Sequence, residues 1–386
     1  MTTQDFKDIA PYEDSDFRQM MTELVKEPGF EHAIKYVMPD VDYPEFASQL
    51  LKINTKDEFQ SSTIAPFLEM LVKMTSTGLD IDGLENYAGN TCATFISNHR
   101  DIVLDASFLY LCLLRNGRRT GEIALGDNLL VYDWIEKLVK LNKGFIVKRN
   151  LKMLKAFEAA KQLSAYIRHS VTDKKESVWI AQREGRAKDS NDRTQEGVLK
   201  MLALSGNGNI AESLMALNIT PVTISYEYDP NDYLKAREFL LKNKNPEFQK
   251  SQRDDLFSME TGLLGFKGEI HYHISPSIND KLSTLTDITD KNLLLGKIAE
   301  IMDRRIHNGY NLFAINYICY DKLHNTAEFT NRYTTADVEK VERYISAQLD
   351  KVTLPEGDIT DDDRRFMHDM MLTMYSNPLK NKLAAK

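Results

Sequence analysis

The sequence Phe95-Ile96-Ser97-Asn98-His99-Arg100-Asp101-Ile102-Val103-Leu104-Asp105 joins an apolar segment to a polar corner and then to a new helix. The apolar residues up to Ile96 predict the end of a strand, and Ser97 and Asn98 predict the corner. We expect a helix to begin at Asp101, because acidic side chains in a first turn offset the unpaired amides and the positive dipole end there. A strand followed by a helix in this way is typical of an α/β sheet.

His99 stands at this corner and is a candidate general base. Asp101 and Asp105 are four residues apart and therefore lie on one face of the predicted helix. A neighbouring carboxylate can orient an imidazole for proton transfer. Taken alone, a histidine near a helix start is more often a capping or half-buried residue. Either Asp101 or Asp105 could orient His99.

Asn98-His99 followed by a carboxylate on the next helix resembles the first motif of the glycerol-3-phosphate and lysophosphatidate acyltransferases. Four residues separate the histidine and the aspartate in that family. Here five residues separate His99 from Asp105, and one separates His99 from Asp101. We match Asp105 to the family's aspartate because the apolar helix Ala106 to Leu114 follows it.

Further blocks resemble those of the same family and occur in the same order. Gly144-Phe145-Ile146-Val147-Lys148-Arg149 is similar to the block that binds the acceptor phosphate, and it is preceded by Gly126-Asp127-Asn128-Leu129. Glu184-Gly185-Arg186-Ala187-Lys188 resembles the family's Glu-Gly-x-Arg-Ser block, and Ile219-Thr220-Pro221-Val222-Thr223-Ile224 resembles its proline-containing strand. The order of the blocks is more specific than any one of them.

The resemblance implies an acyltransferase of phospholipid biosynthesis. Such an enzyme moves a fatty acyl group from acyl-CoA or acyl carrier protein to a hydroxyl of glycerol-3-phosphate or lysophosphatidate. His99 with Asp105 or Asp101 would be catalytic. The residues implied in substrate binding are Gly144, Lys148, Arg149, Glu184, Gly185, Arg186 and Lys188. We expect no metal and no cofactor besides the thioester co-substrate.

Two alternatives remain open. The acceptor could be another hydroxylated lipid, such as an N-acyl amino acid, which would use the same histidine and aspartate. The altered spacing between His99 and its aspartate could instead mark a chain that has lost turnover and acts as a lipid-binding or scaffold protein.

Charge is distributed unevenly along the chain. Residues 143–193 contain 13 Lys and Arg against 6 Asp and Glu, whereas the whole chain has a net charge of −8. A basic region in an acidic protein suits an anionic ligand such as a phosphate. A solvated helix face explains Lys152, Lys155 and Lys161 equally well. Arg149, Arg186 and Lys188 follow predicted strands and are therefore the better anion ligands.

Short apolar segments alternate with helical ones after residue 80, which predicts an α/β fold with a central mixed sheet covered by helices. The predicted strands are 92–96, 145–147, 178–182, 220–227 and 269–274. We expect an N-terminal helical domain over residues 1–80, a catalytic domain over 81–285 and a helical C-terminal extension over 286–386. The acidic stretch Thr75 to Asn90 would lead into the catalytic domain, and the polar tail Asn377 to Lys386 is expected to be frayed.

Several other classes of protein are not indicated. The three cysteines have no metal-like spacing, and we expect them to be reduced. The serine hydrolase motif Gly-x-Ser-x-Gly is absent. Met1 to Asp16 carries acids where a secretory signal needs basic and then apolar residues. The longest apolar run, Phe108 to Leu114, is too short to span a membrane. We expect a cytoplasmic protein, peripheral on the inner membrane face, that does not bind nucleic acid.

Overall fold

The computed structural model describes residues 6–87, 91–355 and 357–386. Its centre is a seven-stranded sheet. The strands are β1 (Gly78–Asp82), β2 (Thr94–Ser97), β3 (Gly121–Gly126), β4 (Gly144–Val147), β5 (Ser177–Ala181), β6 (Ile219–Tyr226) and β7 (Glu269–Ile274). They lie side by side in the order β1-β7-β6-β2-β5-β3-β4. β7 is antiparallel to β6, and the other neighbours are parallel. The predicted mixed sheet is confirmed.

Helices precede, connect and follow these strands. Before β1 the chain forms α1 (Asp14–Leu24), α2 (Pro28–Val37), α3 (Tyr43–Leu50), α4 (Lys56–Phe59) and α5 (Ala65–Thr75). Between β2 and β7 it forms α6 (Leu104–Arg115), α7 (Asp133–Leu141), α8 (Met153–His169), α9 (Glu196–Ala203), α10 (Ile210–Met215), α11 (Asp232–Lys244) and α12 (Gln252–Leu264). After β7 follow α13 (Asn279–Leu282), α14 (Lys291–Asn308), α15 (Ala314–His324), α16 (Thr335–Leu349) and α17 (Asp361–Ala385). The predicted helical segments that precede and follow the sheet in sequence are confirmed.

Apolar side chains cover both faces of the sheet. Every residue of β2 and β6 is buried. One face packs against α8, α9 and α14 through a core that includes Tyr166, Leu199 and Ile298. The other face packs against α5 and α6 through Leu71 and Phe108. Strands that are buried on both faces form nearly continuous apolar runs, and for this reason the sequence predicts them well.

Two strands were not predicted. β1 is half-buried and alternates apolar residues with Asp80 and Asp82, the pattern of a strand with one face in solvent. It lies within the stretch that was expected to lead into the catalytic domain, and the predicted boundary between residues 80 and 81 falls inside it. The end of that stretch, residues 88–90, lies outside the described residues. β3 contains the buried Glu122, which accepts a hydrogen bond of 2.7 Å from the hydroxyl of Tyr166.

The prediction that residues 377–386 are frayed was wrong. α17 continues to Ala385, with Leu379 only 2% exposed. Lys382 Nζ donates a hydrogen bond of 2.5 Å to the carbonyl of Tyr310, and Arg304 Nε donates one of 3.0 Å to the carbonyl of Ala385. The tail is therefore packed against the segment that follows α14.

The C-terminal helices are also joined to α11 by a buried carboxylate. Asp232 accepts hydrogen bonds of 2.7 Å each from the hydroxyls of Tyr344 and Tyr375 and from Gln348 Nε2. Asp232 is fully buried, so these donors replace the water that the carboxylate loses on folding. They connect α16 and α17 to the helix that follows β6.

Leu379→Ala tests whether the C-terminal tail is packed. Removing this buried side chain should lower the free energy of unfolding by about 2–5 kcal/mol, because a large-to-small change in a core loses contacts and leaves a cavity. The adjacent Lys380 is exposed, so Lys380→Ala should change it by less than about 0.5 kcal/mol. Urea denaturation compares the two variants, and equal effects at both positions would contradict the packed tail.

Candidate active site

His99 lies just beyond the buried end of β2. The preceding Asn98 is completely buried and pairs with β6. Its Nδ2 donates to the carbonyl of Ile224 at 2.9 Å, and its Oδ1 accepts from the amide of Ile224 at 2.8 Å. The side chain thus continues the pairing of β2 and β6 by one position. This arrangement fixes the point at which the chain leaves the sheet and turns into the His99 segment.

The Asp105 carboxylate organises the segment around His99. Its Oδ2 lies 2.8 Å from His99 Nδ1 and accepts the amide hydrogen of Arg100 at 2.6 Å. Its Oδ1 accepts the amide hydrogen of Asp101 at 3.1 Å. A carboxylate oxygen at this distance assigns the proton to Nδ1, which leaves Nε2 as the free acceptor. The histidine therefore has the tautomer that a general base needs.

The Asp101 carboxylate binds the backbone at the start of α6 and not the histidine. Its Oδ1 accepts the amides of Val103 and Leu104 at 2.8 Å each and so caps α6. Its Oδ2 is buried without a hydrogen-bond partner among the described residues. Burial raises the pKa of Asp101, and the negative charge of Asp105 raises it further. Of the two candidate carboxylates, Asp105 contacts the histidine and Asp101 shapes the start of the helix.

The residue after His99 is held by a buried ion pair. Arg100 Nη2 lies 2.6 Å from Asp192 Oδ2. The hydroxyl of Tyr310 also donates to Asp192, and His307 Nε2 lies 2.5 Å from the Asp192 carbonyl. These contacts connect the His99 segment to α14 and the residues after it. They limit the positions that His99 can adopt.

His99 borders a cavity of about 410 Å³. The strands β2, β3, β4 and β5 are parallel, so their carboxyl ends meet at one edge of the sheet, where ligands commonly bind in open α/β sheets. The wall is largely apolar. The apolar residues of the wall are Ile102, Ala124, Leu125, Leu129, Val147, Leu151, Ala156, Ala159, Ala160, Leu163, Trp179, Ile180, Ala181, Val198 and Met201. Such a cavity can take an extended hydrocarbon chain beside the histidine.

Two arginines lie in the cavity wall. The amide of Arg149 donates to Asp127 Oδ1 at 3.1 Å. A Cβ at Gly126 would lie 2.7 Å from Arg149 Nε, so glycine lets the guanidinium pack over the backbone. Arg183 has a buried Nε with no hydrogen-bond partner among the described residues. A guanidinium suits a phosphate because it offers several donors in one plane.

Lys148 and Glu184 also line the cavity. Lys148 forms an ion pair with Asp8 from the N-terminal part of the chain. Glu184 is exposed, and its backbone amide donates to Gln195 Oε1 at 2.8 Å. Among the predicted residues, His99, Lys148, Arg149 and Glu184 thus share one cavity, with Asp105 directly behind the histidine.

The other predicted binding residues lie away from the cavity wall. A Cβ at Gly144 would lie 2.3 Å from Val139 Cγ1, so this glycine allows β4 to pack closely on α7. Gly185 has φ +68°, a left-handed turn conformation that glycine adopts easily. Lys188 pairs with the buried Glu238. Arg186 has a buried Nη1 without a partner among the described residues. Burial opposes ionisation of Asp229, but the charge and hydrogen bond of Lys235 and, to a smaller extent, the charge of Arg186 lower the pKa of Asp229.

Arg183, Gln195 and Trp179 line the cavity but were not predicted as site residues. Arg183 immediately precedes the Glu184 block, and its place in the basic region was the available signal. Gln195 lies a few residues after the Glu184 block but belongs to none of the motifs. Trp179 lies in the predicted strand of β5, where a large aromatic residue looks like core. Its ring is 5.8 Å from that of His99 in an edge-to-face arrangement.

Among the described residues, no group of three or more His, Cys, Asp or Glu side chains could hold a metal ion. His271 and His273 on β7 lie near Asp82, with 2.5 Å between His273 Nδ1 and Asp82 Oδ1. None of the helices in residues 6–87, 91–355 and 357–386 is both long and apolar enough to cross a membrane.

Comparison with known proteins gives a family model and a solved structure that resemble this chain. Residues 78–226 match the family model described as Acyltransferase, and this range contains β1 to β6 with His99, Asp105, Arg149 and Arg183. A comparison with curated proteins gives no significant match. Among solved structures, the 1-acyl-sn-glycerophosphate acyltransferase PlsC from Thermotoga maritima is similar, with 12% identity and a TM-score of 0.40. The match covers 76% of this chain and 96% of that one.

Asp105→Asn should destabilise the folded chain, whereas Asp101→Asn should not. An amide at position 105 leaves at least one of three donors without its acceptor, which should cost about 1–3 kcal/mol of unfolding free energy. An amide at position 101 keeps the oxygen that caps α6 and removes a buried charge, so stability should be unchanged or higher. Urea denaturation at neutral pH measures both. A larger loss for Asp101→Asn would contradict these assignments.

The unfolding free energies of the native chain and of Asp101→Asn can also be compared across pH. Because the pKa of Asp101 is raised in the folded state, the folded chain retains a proton that the unfolded chain releases above about pH 4. Native stability should therefore fall, relative to that of Asp101→Asn, as pH rises from about 4. A constant difference between the two chains over this range would show that Asp101 is not shifted.

Proposed function

We propose that this chain transfers a fatty acyl group from a thioester to a hydroxyl of glycerol-3-phosphate or lysophosphatidate. The match of residues 78–226 to the family model described as Acyltransferase supports the transfer of an acyl group. The observation that carries the proposal is the His99–Asp105 pair on the wall of a largely apolar cavity that also contains two arginines. The histidine supplies the base, the apolar wall suits the acyl chain and the arginines suit the phosphate of the acceptor.

His99 Nε2 removes the proton of the acceptor hydroxyl as the hydroxyl oxygen attacks the thioester carbonyl. The new C–O bond forms and the C–S bond breaks, and the imidazolium returns its proton to the departing thiolate. Asp105 holds the imidazole in the Nδ1–H tautomer and stabilises the imidazolium during the reaction. The mechanism requires no acyl-enzyme intermediate, because a thiolate is already a good leaving group.

The contact between His99 and Asp105 is kept in spite of the altered spacing, which favours an active enzyme. Five residues separate His99 from Asp105, one more than in the family's motif. The extra residue is accommodated because Asp105 also accepts the amides of Arg100 and Asp101, which draws the segment into a tight turn. The contact of 2.8 Å between Nδ1 and Oδ2 is therefore retained. The altered spacing alone gives no reason to expect a silent chain.

The arginines position the acceptor in this proposal. Arg149 and Arg183 lie in the wall that also contains His99, so a phosphate bound there would hold a glycerol hydroxyl near the base. Positioning of this kind turns a bimolecular encounter into an intramolecular step. Arg186, Gly185 and Lys188 remain predicted contributors, although the wall of the cavity does not include them. The donor is acyl-CoA or acyl carrier protein.

His99→Ala should reduce turnover by about 10²- to 10⁴-fold, the usual contribution of a general base. Thiol release from a long-chain acyl-CoA is followed with glycerol-3-phosphate and then with lysophosphatidate as acceptor. Asp101→Asn is the matched control, because Asp101 caps α6 and does not contact the histidine. Acceptor-dependent release that survives in His99→Ala would reject the assignment. A native chain that releases no thiol should next be given acyl carrier protein as donor.

Arg149→Ala and Arg183→Ala should each raise KM for the phosphate acceptor by about 10- to 100-fold, since charge-assisted hydrogen bonds contribute about 1.5–3 kcal/mol. Arg365→Ala is the control, because its side chain is 73% exposed on α17. Steady-state rates over a range of acceptor concentrations give these constants. Unchanged KM in both variants would favour an acceptor without a phosphate.

A further inference from the structure

The first two turns of α8 form an exposed apolar surface. Residues 151–158, here called the α8 tip, are all exposed. Four of them are large and apolar. Leu151 is 37% exposed, Met153 89%, Leu154 79% and Phe157 58%. Four exposed large apolar side chains within seven positions are more typical of a contact site than of ordinary surface variation, in which such residues are scattered singly.

The α8 tip and the residues on either side of it are basic. Residues 148–161 contain Lys148, Arg149, Lys152, Lys155 and Lys161 against the single acid Glu158. Among the described residues, no carboxylate forms an ion pair with Lys152, Lys155 or Lys161. This surface therefore presents free positive charge beside apolar side chains, in a chain whose net charge is −8.

The α8 tip adjoins the cavity that contains His99. Leu151 and Ala156 belong to the tip and also form part of the cavity wall, together with Ala159 and Ala160 of the next turn. One helix thus contributes its outer apolar residues to the protein surface and its inner residues to the cavity. The apolar surface of the tip and the cavity that His99 borders therefore share residues.

We propose that the α8 tip docks this protein on an anionic lipid bilayer. Met153, Leu154 and Phe157 enter the boundary between headgroups and acyl chains, while Lys152 and Lys155 bind anionic headgroups. This combination of apolar and basic residues is typical of helices that lie in a membrane interface. The extent of apolar exposure favours a bilayer over an acidic protein partner, which the lysines alone would attract.

The docking proposal extends the proposed function by identifying where a lipid acceptor or acyl chain enters. Docking is inferred from the exposed surface alone and does not depend on acyl transfer. Vesicle binding is measured without thioester or acceptor, so a failure of docking and a failure of acyl transfer are separate results.

The test is co-sedimentation of the full chain with phosphatidylcholine vesicles that contain or lack phosphatidylglycerol. The native chain should bind the anionic vesicles and bind less at high salt. Met153→Ser/Leu154→Ser should abolish most of this binding. Lys152→Gln/Lys155→Gln should weaken it by about fivefold for each lysine removed.

The control variant changes the same residue types on another helix. Lys291 and Leu293 lie at the start of α14, where Leu293 is 53% exposed. Lys291→Gln/Leu293→Ser should bind vesicles as the native chain does. Equal loss in the control and in the α8 variants would overturn the assignment to the α8 tip.

A spectroscopic variant tests insertion directly. In Phe157→Trp, the indole should shift its emission to shorter wavelength when anionic vesicles are added, because it leaves water for the interface. The native chain, which contains Trp134 and Trp179, gives the background signal. Absence of vesicle binding and of this shift would overturn the proposal. So would binding of acyl carrier protein that requires Met153 and Leu154 while vesicles are ignored, since the tip would then be a protein-docking site.

Discussion

The candidate site depends on one carboxylate at the start of one helix. Asp105 is 1% exposed and accepts hydrogen bonds from His99 and from the amides of Arg100 and Asp101. A buried carboxylate is costly unless its oxygens are satisfied, so the loop is constrained to supply these donors. The orientation of the His99 ring is thus a consequence of satisfying Asp105, and it places the ring at the wall of the cavity.

The surroundings of this loop show how strongly it is fixed. Asn98 extends the β2–β6 pairing on one side, and Arg100 pairs with Asp192 on the other. Asp101 caps the first turn of α6. The four residues 98–101 therefore each have a separate anchor. A side chain held in this way loses little entropy when substrate binds, which is the physical meaning of a preorganised base.

The sequence predicted the parts of this structure that depend on local pattern. Continuous apolar runs indicated β2, β4, β5 and β6, alternation indicated β7, and the motif spacing indicated His99 with two possible partners. β1 was missed because it lies in an acidic stretch that was interpreted as a lead-in to the catalytic domain. β3 was missed because Glu122 interrupts its apolar pattern, and Glu122 is buried only through partners distant in sequence. The choice of Asp105 over Asp101, and the presence of Arg183 in the cavity wall, depend on how the loops leave the sheet. The C-terminal tail is polar in sequence, and tertiary contacts alone show that it is packed.

The strand order also has a consequence for how the chain folds. β7, at residues 269–274, lies between β1 and β6 and pairs with both. The segment 78–226 therefore lacks β7, the strand that joins β1 to the rest of the sheet. β1 can pair with β7 only after nearly two hundred residues beyond β1 have been synthesised. Contacts this distant in sequence slow folding, because the chain loses entropy in closing the loop before the pairing can offset that loss. Until β7 arrives, the edges of β1 and β6 are available for incorrect pairing.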